Sequence, residues 1–168
     1  AASSYTELPI FTKAFALFGS NPFLGIAIGA LVTGIMQSSS ASVGILQTLA
    51  ASGLVPFHAA VYIIMGQNIG TCITAMLSAI GASRNAKCAS YMHLLFNIIG
   101  TVLFSIISIV YFKMINPNMG FGPISQTEIS MVHTVFNIVT TVLLFPFSNY
   151  IINIAKKLNH VEMEQEKD

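Results

Sequence analysis

A run of amide and hydroxyl side chains lies inside an apolar part of the chain. It reads Gln37-Ser38-Ser39-Ser40-Ala41-Ser42, and the 70 residues from 14 to 83 contain no Asp, Glu, Lys or Arg. In hydrocarbon an unpaired polar group costs several kcal/mol, so such a run must be buried or face a wet cavity. Three consecutive serines project around most of a helix's circumference. The run therefore predicts a break: a helix ending near Met36, a turn, and a second helix that begins on a Ser cap.

A second polar group interrupts the next apolar segment. Two glycines bracket an amide pair and precede a threonine in Gly66-Gln67-Asn68-Ile69-Gly70-Thr71. This pattern predicts an unwound point in a spanning helix over residues 57–81, with a half-helix beginning near Asn68 to Thr71. Two interrupted apolar segments in succession are typical of the substrate site of a secondary transporter.

The chemistry available at such breaks is ion binding. A helix N-terminus carries about half a positive charge, so its N–H groups and nearby hydroxyls can hold an oxyanion; the hydroxyls here are Ser38, Ser39, Ser40 and Thr71. The side-chain oxygens of Gln37 and Asn68, with open backbone carbonyls, suit Na⁺, and the two charges attract strongly where water is scarce. The alternative is that these polar groups only join helices within a bundle.

Composition places the chain in a bilayer. Hydrophobic residues make up 54% and charged residues 8%, with a mean hydropathy of +0.76, whereas soluble domains carry about 25% charged residues. The net charge of +1 gives no information on a nucleic-acid partner, and the sequence has no basic stripe that could bind one. No nucleophile–base pair, carboxylate pair or metal cluster occurs in the apolar sequence, so we expect no enzyme. Cys72 and Cys88 are interpreted as reduced packing residues.

The expected fold is an all-α membrane protein. An interfacial helix over residues 1–20 precedes a transmembrane transport repeat over 21–158. That repeat comprises a re-entrant hairpin 22–53, the broken helix 57–81, and helices 85–112 and 126–157; a charged cytoplasmic tail, 159–168, follows. Gly25 and Gly29, four residues apart, predict that another helix approaches the hairpin closely.

Basic residues predict the orientation. If the hairpin enters and leaves on one side, then Arg84, Lys87, Lys156 and Lys157 lie at the opposite surface from Lys113. The positive-inside rule makes the side with four basic residues cytoplasmic, which places the C-terminus inside a multi-pass cell-membrane protein.

A short repeat occurs on the last two spans. The pair His93 and Asn97 recurs forty positions later as His133 and Asn137. Residues at i and i+4 share one helix face. We interpret these pairs as interhelical hydrogen-bonding groups that dock the helices, with a role in the transport path as the alternative.

The polar motifs resemble those of the type II sodium/phosphate cotransporter family, including its bacterial members. The matching pieces are Thr33-x-x-x-Gln37-Ser38-Ser39-Ser40-Ala41, then Gly66-Gln67-Asn68-Ile69-Gly70-Thr71-Cys72-Ile73-Thr74-Ala75, then His93-x-x-Phe96-Asn97. Their order agrees with the family over about residues 24–104.

The resemblance implies a carrier of inorganic phosphate coupled to Na⁺, built from two inverted repeats that each carry such a hairpin. By position, the substrate and sodium contacts would be Gln37, Ser38, Ser39, Ser40, Asn68 and Thr71, with sodium held through Gln37, Ser38, Asn68 and Thr71. Thr33, Gln67 and Ser42 are further candidates. Bacterial relatives often continue into a PhoU-like cytoplasmic domain.

The chain has one Gln-Ser-Ser-Ser element, which resembles the second repeat of the family. One copy supplies half a site, so the implied partner is a first-repeat half in the same parent chain or another subunit. A carrier of another oxyanion, such as a dicarboxylate or sulfate, and a non-transporting half that scaffolds a partner stay open as alternatives.

Overall fold

The computed structural model describes residues 9–165, and this part of the chain is helical, without a strand. The helices are α1 (Pro9–Ser20), α2 (Pro22–Met36), α3 (Ser39–Ala51), α4 (Phe57–Ser78), α5 (Arg84–Val110), α6 (Pro117–Phe121), α7 (Gln126–Leu144) and α8 (Ser148–Gln165). A π-helical turn, Tyr111–Ile115, follows α5, and a 3₁₀ turn, Phe145–Phe147, joins α7 to α8. Residues 1–8 of the expected interfacial helix lie outside the described residues.

Three helical stretches are long and apolar enough to cross a membrane. They are Phe57–Ser78, Arg84–Ile115 and Gln126–Asn159. The segments Thr12–Ser20 and Pro22–Met36 together form a fourth candidate, bent by 116° at the break between them. An all-α membrane protein is therefore confirmed. Helix α1 turns sharply away from α2 at Asn21, whose side chain caps α2 by accepting the Phe23 N–H at 3.0 Å.

Helix α4 is the core of the bundle. It is buried along most of its length, and the main apolar cluster packs Ile64 of α4 with Phe15 of α1, Leu46 of α3 and Ile129 of α7. Because α1, α3 and α7 all bury side chains against the same helix, α4 fixes their relative positions.

Helices α2 and α4 meet backbone to backbone. A Cβ at Gly29 would overlap the carbonyl of Ile63, and one at Gly66 would overlap the carbonyl of Ile26. Gly25, Gly29 and Gly34 of α2 face Tyr62, Ile63 and Ile73 of α4 in that order. The two helices therefore run parallel, and the close approach predicted from Gly25 and Gly29 is confirmed.

The predicted break in α4 is wrong. The helix runs without interruption from Phe57 to Ser78, so no half-helix begins near Asn68 to Thr71. Gly66 and Gly70 have a different cause: a Cβ at Gly70 would lie 2.6 Å from the Ala30 carbonyl, so both glycines make room for α2. Gln67 and Asn68 remain helical and bond to neighbouring helices through their side chains.

Three further helix boundaries differ from the prediction. The helix expected over 126–157 is interrupted at Phe145–Phe147, where Pro146 cannot donate an N–H to the helical ladder. Helix α5 ends at Val110, and the chain continues as a π turn instead of ending at 112. Helix α8 continues to Gln165, into the segment interpreted as a tail.

Hydrogen bonds between residues in loops and at helix ends define the two ends of the bundle. At one end the Phe57 N–H donates to the Gly122 carbonyl at 2.8 Å, and the Ile124 N–H donates to the Val55 carbonyl at 3.0 Å. At the other end the amide of Asn159 donates to the Arg84 carbonyl at 3.0 Å. Helix α8 thus returns to the start of α5, and the four basic residues at 84, 87, 156 and 157 share that end.

Candidate functional site

The turn between α2 and α3 lies at Gln37. This residue adopts a left-handed conformation (φ 52°, ψ 27°), and its N–H closes α2 on the Thr33 carbonyl at 2.8 Å. It is the one residue other than glycine with a positive φ in the described part of the chain. Ser38 then becomes extended (φ −146°, ψ 105°), and α3 begins at Ser39. The break predicted between Met36 and a Ser cap is confirmed.

Ser38 caps α3. Its hydroxyl oxygen accepts the Ala41 N–H at 3.3 Å. The N–H groups of Ser39 and Ser40 belong to the first helical turn, where α-helix geometry provides no intrahelical acceptor. Gln37 and Ser40 are exposed and Ser38 and Ser39 are half-buried. The turn therefore presents N–H groups and hydroxyls on an open face of the chain.

The turn lies deep along the core helix. Because Gly34 faces Ile73 and α4 rises about 1.5 Å per residue from Phe57, this contact lies about 24 Å along α4. Helix α3 then runs back toward the end where α2 began. Gln37 follows three residues later, so the chain reverses direction about 28 Å along α4, within about one turn of the end of that helix at Ser78.

A buried trio of polar side chains lies behind the turn. The Thr33 hydroxyl donates to Ser42 Oγ at 2.7 Å, and the Gln67 amide donates to the same oxygen at 3.0 Å. Their exposed fractions are 0% for Thr33, 2% for Ser42 and 2% for Gln67. The trio joins α2, α3 and α4 directly beneath the Gln-Ser-Ser-Ser turn.

One oxygen of this trio is left over. Gln67 Oε1 is buried and has no hydrogen-bond partner among the described residues. Such an oxygen costs about 1–3 kcal/mol. A neutral amide oxygen beside two hydroxyl oxygens is a hard-oxygen set of the kind that alkali and alkaline-earth cations prefer.

Asn68 faces the other way. Its Oδ1 accepts from His133 Nε2 at 3.0 Å and from the Asn137 amide at 3.3 Å, while its own amide donates to the Ile64 carbonyl at 2.9 Å. Adjacent residues on an α-helix point about 100° apart. Gln67 therefore contacts the hairpin, and Asn68 contacts α7. The interhelical hydrogen bonding predicted for His133 and Asn137 is confirmed.

The remaining candidates fall on two faces. Thr71 lies one turn after Gln67, and its hydroxyl donates to the Gln67 carbonyl at 2.9 Å. Asn97 donates to the His93 carbonyl at 3.0 Å, the same bond that Asn137 makes to His133 at 2.8 Å. Thr33, Ser42, Gln67 and Thr71 thus gather on the hairpin side of α4, and His133 and Asn137 lie at Asn68, on the face about 100° further round the helix.

The sequence did not rank Gln67 among the main ligands, although a signal was present. Gln67 and Asn68 are consecutive residues, and consecutive side chains on a continuous α-helix point about 100° apart. The two amides must therefore contact different neighbouring helices. The predicted unwinding concealed this separation. Within the described residues no group of three or more His, Cys, Asp or Glu could hold a metal ion.

Comparison with known proteins then defines the family. Residues 8–127 match the Na⁺/Pi-cotransporter family. The chain belongs to this family. It is 32% identical over 127 residues to YqeW of Bacillus subtilis (strain 168), covering 74% of this chain and 39% of YqeW.

Two other relatives extend the comparison. The chain is 42% identical over 88 residues to the human sodium-dependent phosphate transport protein 2B, covering 44% of this chain and 13% of that protein. It is 28% identical over 151 residues to YjbB of Escherichia coli (strain K12), covering 89% of this chain and 27% of YjbB. No solved structure matches significantly. The chain therefore spans less than half the length of each of these relatives.

Proposed function

We propose that this chain forms one half of a Na⁺-coupled carrier of inorganic phosphate, with both ions bound at the turn between α2 and α3. The observation that carries the proposal is this turn, an interrupted helix with a new N-terminus among apolar residues. Membership of a Na⁺/Pi-cotransporter family supports the choice of ions. The human relative is named for sodium-dependent phosphate transport, which agrees with it.

Phosphate binds at the start of α3 in this proposal. The open N–H groups of Ser39 and Ser40, with the hydroxyls of Ser38, Ser39 and Ser40, donate to its oxygens. The N-terminal partial charge of α3 favours an anion there without a cationic side chain. Because α4 is continuous, α3 is the one helix within residues 9–165 that begins at this turn. A first-repeat half would supply the second helix N-terminus.

Sodium binds behind the anion. Gln67 Oε1 is the strongest candidate ligand because it is buried without a partner. Ser42, Thr33 and Thr71 lie on the same side of α4, and Gln37 and Ser38 can add oxygens at the turn. Asn68 would reach an ion only by exchanging its bonds to His133 and Asn137. A cation at this position lies next to the anion site, so each ion stabilises the other and coupling follows.

The hairpin is re-entrant in this proposal, and its open end faces outward. The four basic residues share the opposite end of the bundle, near the Asn159–Arg84 bond. By the positive-inside rule that end is cytoplasmic. The turn then lies within the bilayer, reached from the outer surface.

Uptake of ³²P-phosphate into liposomes tests the site. In the assembled carrier we expect Ser39→Ala and Ser40→Ala each to lower Na⁺-dependent uptake at least tenfold. A tenfold loss corresponds to about 1.4 kcal/mol of binding free energy. Thr48→Ala is the matched control, because Thr48 is exposed on the same helix and its hydroxyl bonds the Gly44 carbonyl at 2.8 Å. Equal uptake by all three variants would favour a scaffold role.

Two further measurements separate the alternatives. Arsenate should compete for Na⁺-dependent phosphate binding and succinate should not; the reverse result would identify a different anion as the substrate. Liposomes that contain this chain alone, as a strict monomer, should show no Na⁺-dependent uptake. Robust uptake by that monomer would contradict the half-site.

A further inference from the structure

Helix α7 exposes two different faces side by side. Its polar face carries four exposed side chains at helical spacing: Ser130, Thr134, Asn137 and Thr141. Its apolar face lies one residue further along the chain at each step, about 100° around the helix. This face consists of Met131, Val135, Ile138 and Val142, which are between 50% and 66% exposed. The exposed surface of α7 is therefore divided lengthwise into a polar and an apolar stripe.

Lipid suits only the apolar face. Hydrocarbon offers no hydrogen-bond partner, so polar side chains of a spanning helix face protein or a wet cavity. Ser130 and Asn137 already have partners in the bundle. The hydroxyls of Thr134 and Thr141 make no hydrogen bond within the described residues. The polar face therefore requires water or a polar partner along its length.

Helices α3 and α7 lie next to each other and run in opposite directions. The Ile124 N–H, just before α7, donates to the carbonyl of Val55, which follows α3. The end of α3 is thus close to the start of α7. The Gln47 amide of α3 then donates to Ser130 Oγ of α7 at 2.9 Å, which joins the two helices near the outer end of the polar face.

The polar face of α7 leads from this contact toward the turn between α2 and α3. Ser40 lies seven residues before Gln47 on α3, and Asn137 lies seven residues after Ser130 on α7. Each step covers about 10 Å and returns to the same helix face. Ser40, which is exposed at the turn, therefore lies at about the level of Asn137, and Thr141 lies one turn beyond.

We propose that the polar face of α7 lines the water-filled path by which phosphate and Na⁺ reach the turn. The identity of the ions rests on the proposed function, and the course of the path rests on the two faces of α7. The hydroxyl and amide groups of this wall hydrogen-bond the water that hydrates a passing ion. No Asp, Glu, Lys or Arg occurs from 130 to 141, so an anion and a cation can both pass without being held by a charge.

Cysteine accessibility tests this path at two matched pairs of neighbouring residues. Thr134 and Thr141 lie on the polar face, and each is followed by a valine of the apolar face, Val135 or Val142. Each of the four is replaced by Cys in turn. The probe is sulfonatoethyl methanethiosulfonate, a membrane-impermeant anionic thiol reagent. It is applied to the assembled carrier in detergent, so that both ends of the bundle are open to it.

The threonine positions should react faster than their valine neighbours. The attacking thiolate forms in water and not in hydrocarbon, so we expect Thr134→Cys and Thr141→Cys to react about tenfold faster or more. The half-buried Cys88 is replaced by Ser in every variant, whereas Cys72 is fully buried and stays. The carrier without an added cysteine gives the rate to be subtracted.

Phosphate uptake then tests whether this water lies on the ion path. The labelled carriers are reconstituted into liposomes. Modified Thr134→Cys should show Na⁺-dependent uptake of ³²P-phosphate lowered by about tenfold, and reduction of its mixed disulfide with dithiothreitol should restore uptake. Val135→Cys after the same treatment should keep its uptake.

Three results would overturn the proposal. The first is equally slow reaction at both members of each pair, which means that protein or lipid covers the polar face. The second is equally fast reaction at both, which means that the two faces share one environment. The third is unchanged uptake by modified Thr134→Cys, which means that the water lies off the ion path. A background carrier without Na⁺-dependent phosphate uptake would contradict the proposed function, and the reaction rates would still decide whether the polar face is hydrated.

Discussion

Replacing Gln67 by Met tests whether its buried oxygen is an ion ligand. Met is similarly long, unbranched and adaptable in a packed site. In the absence of Na⁺ the change removes an unpaired oxygen, which destabilises the chain by about 1–3 kcal/mol. It also removes one hydrogen bond to Ser42, which stabilises the chain by about 1 kcal/mol. We therefore expect the Na⁺-free variant to be as stable as the original chain or more stable by up to about 2 kcal/mol.

Sodium should reverse this order. A ligand at tenfold its dissociation constant stabilises the protein that binds it by about 1.4 kcal/mol. For a chain of this size that corresponds to a rise in Tm of about 3–6 °C. Gln67→Met should lose most of this Na⁺-dependent rise, because the deepest oxygen of the proposed site is gone.

Thermal unfolding in detergent measures both effects, with choline replacing Na⁺ at equal ionic strength. Gln47→Met is the matched control: Gln47 donates to the Gln126 carbonyl at 3.2 Å and to Ser130 Oγ at 2.9 Å, away from the turn. It should lose about 1 kcal/mol in both salts and keep the Na⁺ shift. If Gln67→Met keeps the full Na⁺ shift, or is markedly destabilised without Na⁺, the oxygen is not a sodium ligand.

Two further substitutions test the packing that supports the site. Gly66→Ala should destabilise the chain by about 1–3 kcal/mol, because the added Cβ overlaps the backbone of α2. Gly44→Ala has open space around it and should stabilise the chain by up to about 1 kcal/mol. If thermal unfolding shows the same change in both variants, the close approach of α2 and α4 is contradicted. His133→Leu should cost about 0.5–1.5 kcal/mol, because it removes one of the two donors to Asn68 Oδ1 and leaves the Asn137 amide. Thr134→Leu, on the exposed side of α7, should cost little. Equal losses in the two variants would mean that the His133–Asn68 bond does not hold α7.

The hairpin break could be predicted from the sequence because its signal is local. Consecutive serines after a glutamine cannot all find partners on a lipid-facing helix, and Ser is a preferred cap. The structure ends one helix at Met36 and begins the next at Ser39. The docking of α2 through small residues was predictable for the same reason, since Gly25 and Gly29 fall on one helix face.

The continuity of α4 could not be predicted from a local sequence signal. Gly66 and Gly70 carry the same local signal whether a helix unwinds or another helix lies against it, and only the position of α2 decides between these outcomes. Gly66 faces the Ile26 carbonyl, and that contact joins residues forty positions apart. Local propensity weakens a helix at glycine by about 1 kcal/mol, and tertiary packing outweighs it here.

The contacts of α4 also limit how the carrier can move. Helix α2 contacts α4 through glycines and backbone atoms. The two helices therefore have no layer of side chains between them that could repack if one helix slid along the other. Asn68 bonds α7 to the neighbouring face of α4, and Gln47 of α3 donates to Ser130 of α7. A shift of the hairpin relative to α4 would break these contacts together. We therefore expect α2, α3, α4 and α7 to move as one body, with relative motion confined to the open face that carries Gln37 and Ser40. In the proposed carrier, an ion at Gln67 would lie inside that body and an anion at Ser39 and Ser40 would lie at its edge, so alternating access would expose the same site to each side by rotating this unit against the other repeat.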